Sequence, residues 1–275
     1  MGETTSAQSQ EGGPAEQSLA GRHALVTGGG AGIGAAIASK VARLGANVTI
    51  LDVDAAAAAS QASRLADALG VQTFSVAADV TSAESIDDAF KRAEDTMGAP
   101  EILINNAGVA STAPFAKTDA EFWQRIIDIN LNGAFLCLSR AVPAMVDAGW
   151  GRIDITASTA GLIPYRYCAA YCASKHGVIG LMRALALELA KTGVTVNAVC
   201  PGFTDTNIVT TALDNIVEKT GRSKDEALKS LTATNPQGRL IEPEEVAAVV
   251  GWLCQPGSAS ITGQAIPIAG GEVMS

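Results

Sequence analysis

From Arg22 onward the chain repeats one unit. A short aliphatic or β-branched run ends in glycine or an acidic residue, and a stretch with helical periodicity follows. "HALVTGG", "NVTILDVD", "VQTFSVAADV", "EILINNAG", "GRIDITAS", "GVTVNAVCPG" and "QAIPIAGG" are seven such runs. Between them, "GIGAAIASKVARLGA" stops at Gly45 and "AAAAASQASRLADALG" at Gly70. "SAESIDDAFKRAEDTMG" opens on a capping region at Ser82–Ser85 and closes at Gly98. Residues 119–148 read as largely helical with an interruption at Pro143, residues 169–192 as one long helix, and "EPEEVAAVVGWLCQ" as a helix with Pro243 in its first turn. Strands rich in Val, Ile and Leu that alternate with helices argue for βαβ units, a parallel sheet and helices on both faces. Right-handed crossovers then give an α/β, doubly wound fold whose ligands bind at the carboxyl ends of the strands.

Composition sets what that sheet can contact. Apolar residues are 48% of the chain but aromatics only 4%, so Ala, Val, Leu and Ile must fill the core. The net charge of −9 argues against nucleic acid and anionic membrane surfaces, which need clustered cations. No uninterrupted apolar run reaches the roughly 18 residues of a spanning helix. Five cysteines at spacings that match no zinc or disulfide framework, with two histidines, predict no metal site and a reducing, cytoplasmic setting. Residues 1–18 are polar, contain Gly and Pro, and lack Lys and Arg, which predicts a disordered tail rather than a signal or transit peptide. Gly2 and Ser6 fit the myristoylation pattern, but no basic patch follows to supply a second anchor. With no composition break after the tail, residues 19–275 read as one domain. Its one departure from the strand–helix rhythm is a polar excursion at 203–237 with two weak helical patterns around Gly221, the form of a substrate lid.

The first strand-to-helix junction reads "TGGGAGIG", Thr27 to Gly34. Gly28, Gly32 and Gly34 follow a G-x-x-x-G-x-G spacing, and Gly30 opens an overlapping G-x-G-x-x-A. Glycines here permit a tight turn and let backbone approach a pyrophosphate that sits on the helix N-terminus beside Ile33. Asp52 ends the second strand eighteen residues after Gly34. A carboxylate there can accept from both adenosine ribose hydroxyls and repels a 2′-phosphate, so with no Lys or Arg in the glycine turn or directly after Asp52 the expected cofactor is NAD. Asp79 and the Val80 N–H, at the end of the third strand, suit the adenine edge. Asn106, Ala107 and Gly108 in "NNAG" leave room for a flat cofactor.

Tyr171 and Lys175 in "YCASK" lie four apart and share a helix face. A phenol titrates near 10, and an adjacent ammonium lowers that value, which makes the pair a proton donor and acceptor for carbonyl–alcohol conversion. Neither Tyr165 nor Tyr167 has a basic residue four positions on. Cys172 with His176 is a rival nucleophilic pair. Ser158 ends the fifth strand thirteen residues before Tyr171, on the sheet edge that carries the glycine turn.

"TGGGAGIG", Asp79, "NNAG", Asn130 in "DINLNG", Ser158, "YCASK" and "PGFTDT" follow one another in an order that resembles the short-chain dehydrogenase/reductase family, from about residue 20 to the end. The resemblance implies a single-domain Rossmann fold with a seven-stranded parallel sheet. It implies Tyr171 as general acid/base, Lys175 as the group that lowers its pKa and binds the nicotinamide ribose, Ser158 as the polariser of the substrate oxygen, and Asn130 as holder of a relay water. Pro201, Gly202, Thr204 and Thr206 would border the nicotinamide amide and begin the lid. A homotetramer is implied too. The stretches from Tyr171 to Thr206 and from Gly238 to Met274 resemble bacterial 3-hydroxyacyl and 3-hydroxybutyrate dehydrogenases and 3-oxoacyl reductases, so the expected substrate is a 3-hydroxyacyl thioester or free acid. Lys219, Arg222, Lys224 and Lys229 on the lid could meet carrier phosphates, and Tyr165 and Arg166 could line the pocket. The alternatives are a cyclic or aryl secondary alcohol, another enzyme class on this fold such as an epimerase or dehydratase, and a nucleotide-binding regulator without catalysis. Two positions depart from the family pattern. Ile155 stands where Asn is common, and Asp154 stands where an apolar residue is usual. A carboxylate at 154 is costly unless Arg152 pairs with it or the strand lies at an edge.

Overall fold

The computed structural model describes residues 17–274; the proposed tail and the Gly2–Ser6 pattern lie outside the described residues, except that Gln17 and Ser18 form the first turn. Seven strands form one parallel sheet: β1 (His23–Thr27), β2 (Asn47–Asp52), β3 (Thr73–Ala77), β4 (Ile102–Asn105), β5 (Gly151–Thr156), β6 (Val194–Pro201) and β7 (Ala265–Ile268). Their order is β3-β2-β1-β4-β5-β6-β7. The order reverses between β1 and β4, and the crevice above that point is where a doubly wound sheet binds its ligand.

One face is covered by α3 (Ala83–Met97), α5 (Gly133–Asp147) and α6 (Ala169–Glu188), with α4 (Ala120–Ile127) packed against α6; the other by α1 (Gly32–Arg43), α2 (Ala55–Leu69) and α9 (Pro243–Leu253). Each face has its own aliphatic cluster. Phe90, Met145 and Met182 fill the first, and Ile37, Val41, Val250 and Leu253 the second. Because both faces are covered, successive residues of β5 and β6 are buried on alternate sides, and all of them are buried. Alanines at the α1 and α2 positions that face the sheet bring the helices close.

Local chemistry sets the element ends. Asp54 caps α2 by accepting from the Ala56 and Ala57 N–H groups, and Ser82 caps α3 through Ser85. Gly70 closes α2 in the left-handed region at φ 68°. Pro243 occupies the first turn of α9, where its missing N–H costs nothing. Pro143 does not interrupt the helix as expected: α5 continues through it to Asp147. The irregularity lies earlier, in a π turn at Asp128–Asn132 that joins α4 to α5. The whole stretch Ala120–Asp147 is long and apolar enough by composition to cross a membrane, but Cys137, Leu138, Ala141 and Met145 bury its inner side in the core of this domain. The 203–237 excursion forms two helices, α7 (Asn207–Thr220) and α8 (Lys224–Thr232), which close on a small cluster of Val209, Leu213 and Ala227.

Asp154 is not at an edge. β5 lies between β4 and β6, and Asp154 is 2% exposed. Its Oδ2 accepts from the Cys254 thiol at 3.4 Å, while Oδ1 has no hydrogen-bond partner among the described residues. Burial pushes its pKa up to about 7, against the opposing pull of Cys254 and Arg152. Such an acid favours the native state in its protonated form. That stabilisation is complete below the unfolded value near 3.8 and is lost as pH rises to about 7.

Two predictions follow the packing. Asp154→Asn should raise stability at pH 8 by on the order of 2–4 kcal/mol and flatten the fall in Tm between pH 5 and 8, as measured by calorimetry. A variant with the wild-type pH profile would show that the carboxyl is not the titrating group. The second concerns Thr27, which is fully buried at the end of β1 and accepts from the Asn106 and Ala107 N–H groups, both at 3.0 Å. Thr27→Val keeps the shape but orphans both donors, and should cost about 1–3 kcal/mol in denaturant unfolding.

Candidate active site

The sequence-predicted residues meet on the C-terminal edge of the sheet. The glycine turn runs from β1 into α1, with Gly28 and Gly32 at φ 61° and 54°. A Cβ on Gly28 would fall 2.9 Å from the Ala107 Cα, and one on Gly34 would run into the Gly28 carbonyl, so the turn admits no side chain at either position. Ala31 precedes α1, and no side chain caps the helix. Its first-turn N–H groups, including those of Ile33 and Gly34, therefore point their positive end at the crevice without a competing acceptor. This is the anion cradle a dinucleotide pyrophosphate requires, and the residues fit that group.

Asp52 stands beside the turn. Its Oδ2 accepts from the Gly30 N–H at 2.9 Å and its Oδ1 from the Asp54 N–H at 3.0 Å, which fixes the carboxylate at the rim. Val53 next to it is 77% exposed, a large apolar surface at the mouth of the crevice. Asp79 is held by Thr81, whose N–H and hydroxyl both donate to its Oδ1. Val80 packs beneath, against Gly133. Asn106 faces the protein: its side-chain amide donates to the Thr27 and Gly28 carbonyls and ties β4 to the glycine turn. Thr206, at the start of α7, brings its methyl group close to Gly32, so the segment after β6 closes the far side of the same crevice. Thr204 is buried, donates to the Gly202 carbonyl at 3.0 Å, and pairs with Ile241.

The reacting end is built by β5 and α6. Ser158, extended at φ −178°, leaves β5 and its Oγ accepts from the Ala160 N–H at 3.1 Å. Tyr167 then adopts φ 65°, a left-handed conformation that costs a non-glycine residue about 1–2 kcal/mol. This turn leads the chain into α6, so Tyr171 falls in the first turn of the helix. The Ser158 hydroxyl lies near enough to the Tyr171 phenol to pull its pKa down. One turn on, Lys175 is 5% exposed; its Nζ donates to the Thr156 carbonyl at 2.8 Å and lies 5.9 Å from the centre of the Tyr171 ring. A Cβ on Gly108 would come within 3.5 Å of that Nζ and 3.1 Å of the Asn130 Oδ1, so Gly108 opens the space between them. Asn130, carried inward by the π turn, accepts from the Val109 N–H and donates to the Val109 carbonyl and the Ser174 hydroxyl.

The electrostatics differ from the expectation. Lys175 does not bring the Tyr171 phenol below its ordinary range. Burial holds the phenol above it, and the Ser158 hydroxyl only partly opposes that shift. Lys175 is itself pushed down to about 8 by burial. The pair is thus a protonated phenol beside a desolvated ammonium, a poised proton donor. Cys172 and His176 form no nucleophilic dyad, because the exposed His176 turns its Nδ1 to the Cys172 carbonyl at 2.9 Å. Among the described residues no group of three metal-ligating side chains occurs. In the 203–237 excursion, Lys224 pairs with Asp214, and the Lys219 side chain lies outside the described residues.

Three contributors to this edge escape sequence reasoning. Thr27, Thr159 and Glu272 act through contacts between segments up to 107 residues apart, and no local motif encodes those. Tyr165, whose OH receives a hydrogen bond from Thr159 and donates to Glu272, is held well above the ordinary phenol range by burial and by that carboxylate. It is a brace and not a second base.

The chain's similarities agree with this geometry. Residues 28–272 match the family model described as enoyl-(acyl carrier protein) reductase. A putative ketoacyl reductase of Streptomyces coelicolor is 37% identical, covering 90% of this chain and 95% of its own. A D-β-hydroxybutyrate dehydrogenase of Cupriavidus necator is 36% identical over 93% of this chain and 99% of its own. The crystal structure of an actinorhodin polyketide ketoreductase with NADPH superposes with a TM-score of 0.87 at 36% identity, covering 91% of this chain and 97% of that one. A glycine cradle, a serine beside a tyrosine and a buried lysine one turn on, in a chain with these relatives, place it in the short-chain dehydrogenase/reductase family of oxidoreductases.

Proposed function

We propose that this protein is an NAD-dependent oxidoreductase that interconverts a secondary alcohol and a ketone, with a 3-hydroxyacyl or 3-oxoacyl compound as substrate. The observation that carries this reading is the convergence of Ser158, Tyr171 and the buried Lys175, whose Nζ lies 5.9 Å from the centre of the Tyr171 ring, at the end of β5. A substrate oxygen that takes Ser158 and Tyr171 as its two donors lies where the phenol can pass it a proton. The cofactor, when bound, supplies or accepts the hydride. The chain's own residues position, donate and exclude water. Ser158 polarises the oxygen. Tyr171 gives its proton as negative charge develops there, and the adjacent Lys175 ammonium stabilises that charge. The same groups in reverse take the proton from an alcohol. Asn130, joined to Val109 and Ser174, fixes the floor beneath Lys175 and is proposed to hold the water that relays the proton.

NAD rather than NADP is supported by the two acids, Asp52 and Asp54, that terminate β2 and enter α2, with no cation in the turn to receive a 2′-phosphate. The names of the relatives support acyl substrates: one is a ketoacyl reductase and another a hydroxybutyrate dehydrogenase. The lid of α7 and α8 would close over them. A homotetramer and a cytoplasmic location belong to the same reading.

A panel of free 3-hydroxy acids, their CoA thioesters, and cyclic or aryl secondary alcohols, followed with NAD at the NADH absorbance, tests the assignment; no absorbance change with any alcohol would exclude it. Tyr171→Phe should lower kcat at least a thousandfold while the dissociation constant of NADH, read by fluorescence, changes less than threefold. Asp52→Ser should shift the ratio of kcat/KM for NAD over NADP at least tenfold towards NADP, and an unchanged ratio would remove Asp52 from the adenosine site.

A further inference from the structure

We propose that the carboxylate of Glu272 sets the substrate class of this site, by excluding molecules that carry a carboxylate near the reacting carbon and leaving uncharged esters, thioesters and ketones. The proposal rests on the oxidoreductase reading above and deepens it.

Glu272 lies four residues past the end of β7, but its side chain does not stay there. Its Oε1 accepts from the Tyr165 hydroxyl at 2.7 Å and from the Thr234 hydroxyl at 2.6 Å. Tyr165 belongs to the segment between β5 and α6, so the Glu272 side chain reaches back across the end of β6 towards β5. Its Oε2 would lie 3.3 Å from a Cβ on Gly202, the glycine just past β6. Neighbouring parallel strands are about 4.8 Å apart, which puts this carboxylate within one to two strand spacings of the Ser158 end of β5. The link to Ser158 is also covalent and hydrogen-bonded: Thr159, its neighbour in the chain, donates to Tyr165, and Tyr165 donates to Glu272.

The carboxylate is built in. Gly270 and Gly271 have φ of 59° and 93°, and any side chain on Gly270 would strike the Asn235 amide. Asn235 is buried, with its own bonds to Arg239 and Gln237. The turn that delivers Glu272 is therefore fixed against the return of the lid. The side-chain donors that meet it, Tyr165 and Thr234, are neutral hydroxyls. Among the described residues Glu272 forms no ion pair: Arg239 pairs with Glu245, and Arg166 is exposed. Lys175, the remaining cation of the site, points its Nζ to the Thr156 carbonyl. A free carboxylate substrate would thus bring a second negative charge beside an uncompensated one. Specificity achieved by repulsion of the wrong partner needs nothing more.

The test compares 3-hydroxybutyrate with its uncharged methyl ester in the full-length wild-type protein and in Glu272→Gln, which keeps the size and an acceptor for Tyr165. In the wild type, kcat/KM with NAD should be at least tenfold higher for the ester. In Glu272→Gln the value for the acid should rise about tenfold while that for the ester stays within threefold. A bracing role alone would lower both equally and leave their ratio untouched, which would overturn the proposal. Thermal shifts with acetoacetate and methyl acetoacetate give the same comparison without turnover: only the ester should stabilise the wild type, and both should stabilise the variant. Equal shifts in the wild type would overturn the role of Glu272, whereas absence of turnover with every alcohol and either nicotinamide cofactor would overturn the oxidoreductase reading itself.

Discussion

The site depends on one crossing, where α6 lies over the C-terminal end of β5. Lys175 is buried, and its ammonium reaches the Thr156 carbonyl, the last of the strand. Gly161 makes the approach close, since a Cβ there would fall 2.7 Å from the Lys175 carbonyl oxygen. Helix and strand end are thereby locked in register, and the register decides where the phenol one turn earlier lands. Had α6 been displaced by one residue, Tyr171 would rotate by about 100° around the helix axis and lose Ser158. The desolvation that this crossing imposes also explains the pKa pattern: the same burial raises the phenol and lowers the amine.

The second requirement is that this crossing face the glycine turn. Topology supplies it. With β1 and β4 adjacent and their connections leaving on opposite faces, the crevice between them is open, and Thr27 and Asn106 tie its two lips together across 79 residues of chain. Thr206 then brings the segment after β6 against Gly32. Three loops from distant parts of the sequence therefore share one wall, and the Ser158–Tyr171–Lys175 group and the glycine turn are fixed to the same sheet edge.

Much of this was legible in the sequence, for physical reasons. The inner strands β1, β4, β5 and β6 are buried on both faces and read as near-continuous apolar runs, while the edge strands β3 and β7 are only half-buried. Helix ends carry Asp54, Ser82, Gly70 and Pro243, whose capping chemistry is local. Tyr171, Lys175 and Ser158 occupy positions that a helix of 3.6 residues per turn and a strand end bring together. What was not legible is what depends on burial or on distant partners. Pro143 looks like a breaker, yet in α5 tertiary packing holds the helix through it, and the true irregularity at Asp128–Asn132 carries no glycine or proline to announce it. The direction of the Tyr171 shift follows from desolvation, which a four-residue spacing does not reveal. Glu272, Thr159 and Thr234 meet only after the chain has folded.

β5 shows how the fold treats charge. Its residues alternate, and Arg152, Asp154 and Thr156 face the α1–α9 side, while Ile153, Ile155 and Ala157 join the core under α5 and α6. Under α6, one buried cation, Lys175, is given a backbone carbonyl and a neighbouring phenol, and in the proposed reaction its charge stabilises the phenolate. On the opposite side, Asp154 receives a weak thiol donor and leaves one oxygen without a partner. A carboxylate treated that way accepts a proton sooner than it stays charged. Asp154 on β5 and Lys175 on α6 meet the same low-dielectric interior at this strand, but only Lys175 has a full hydrogen-bond partner for its ionised form. Asp154 performs no chemistry in the proposed reaction and reports the cost that a central strand of this sheet exacts from any unpaired charge.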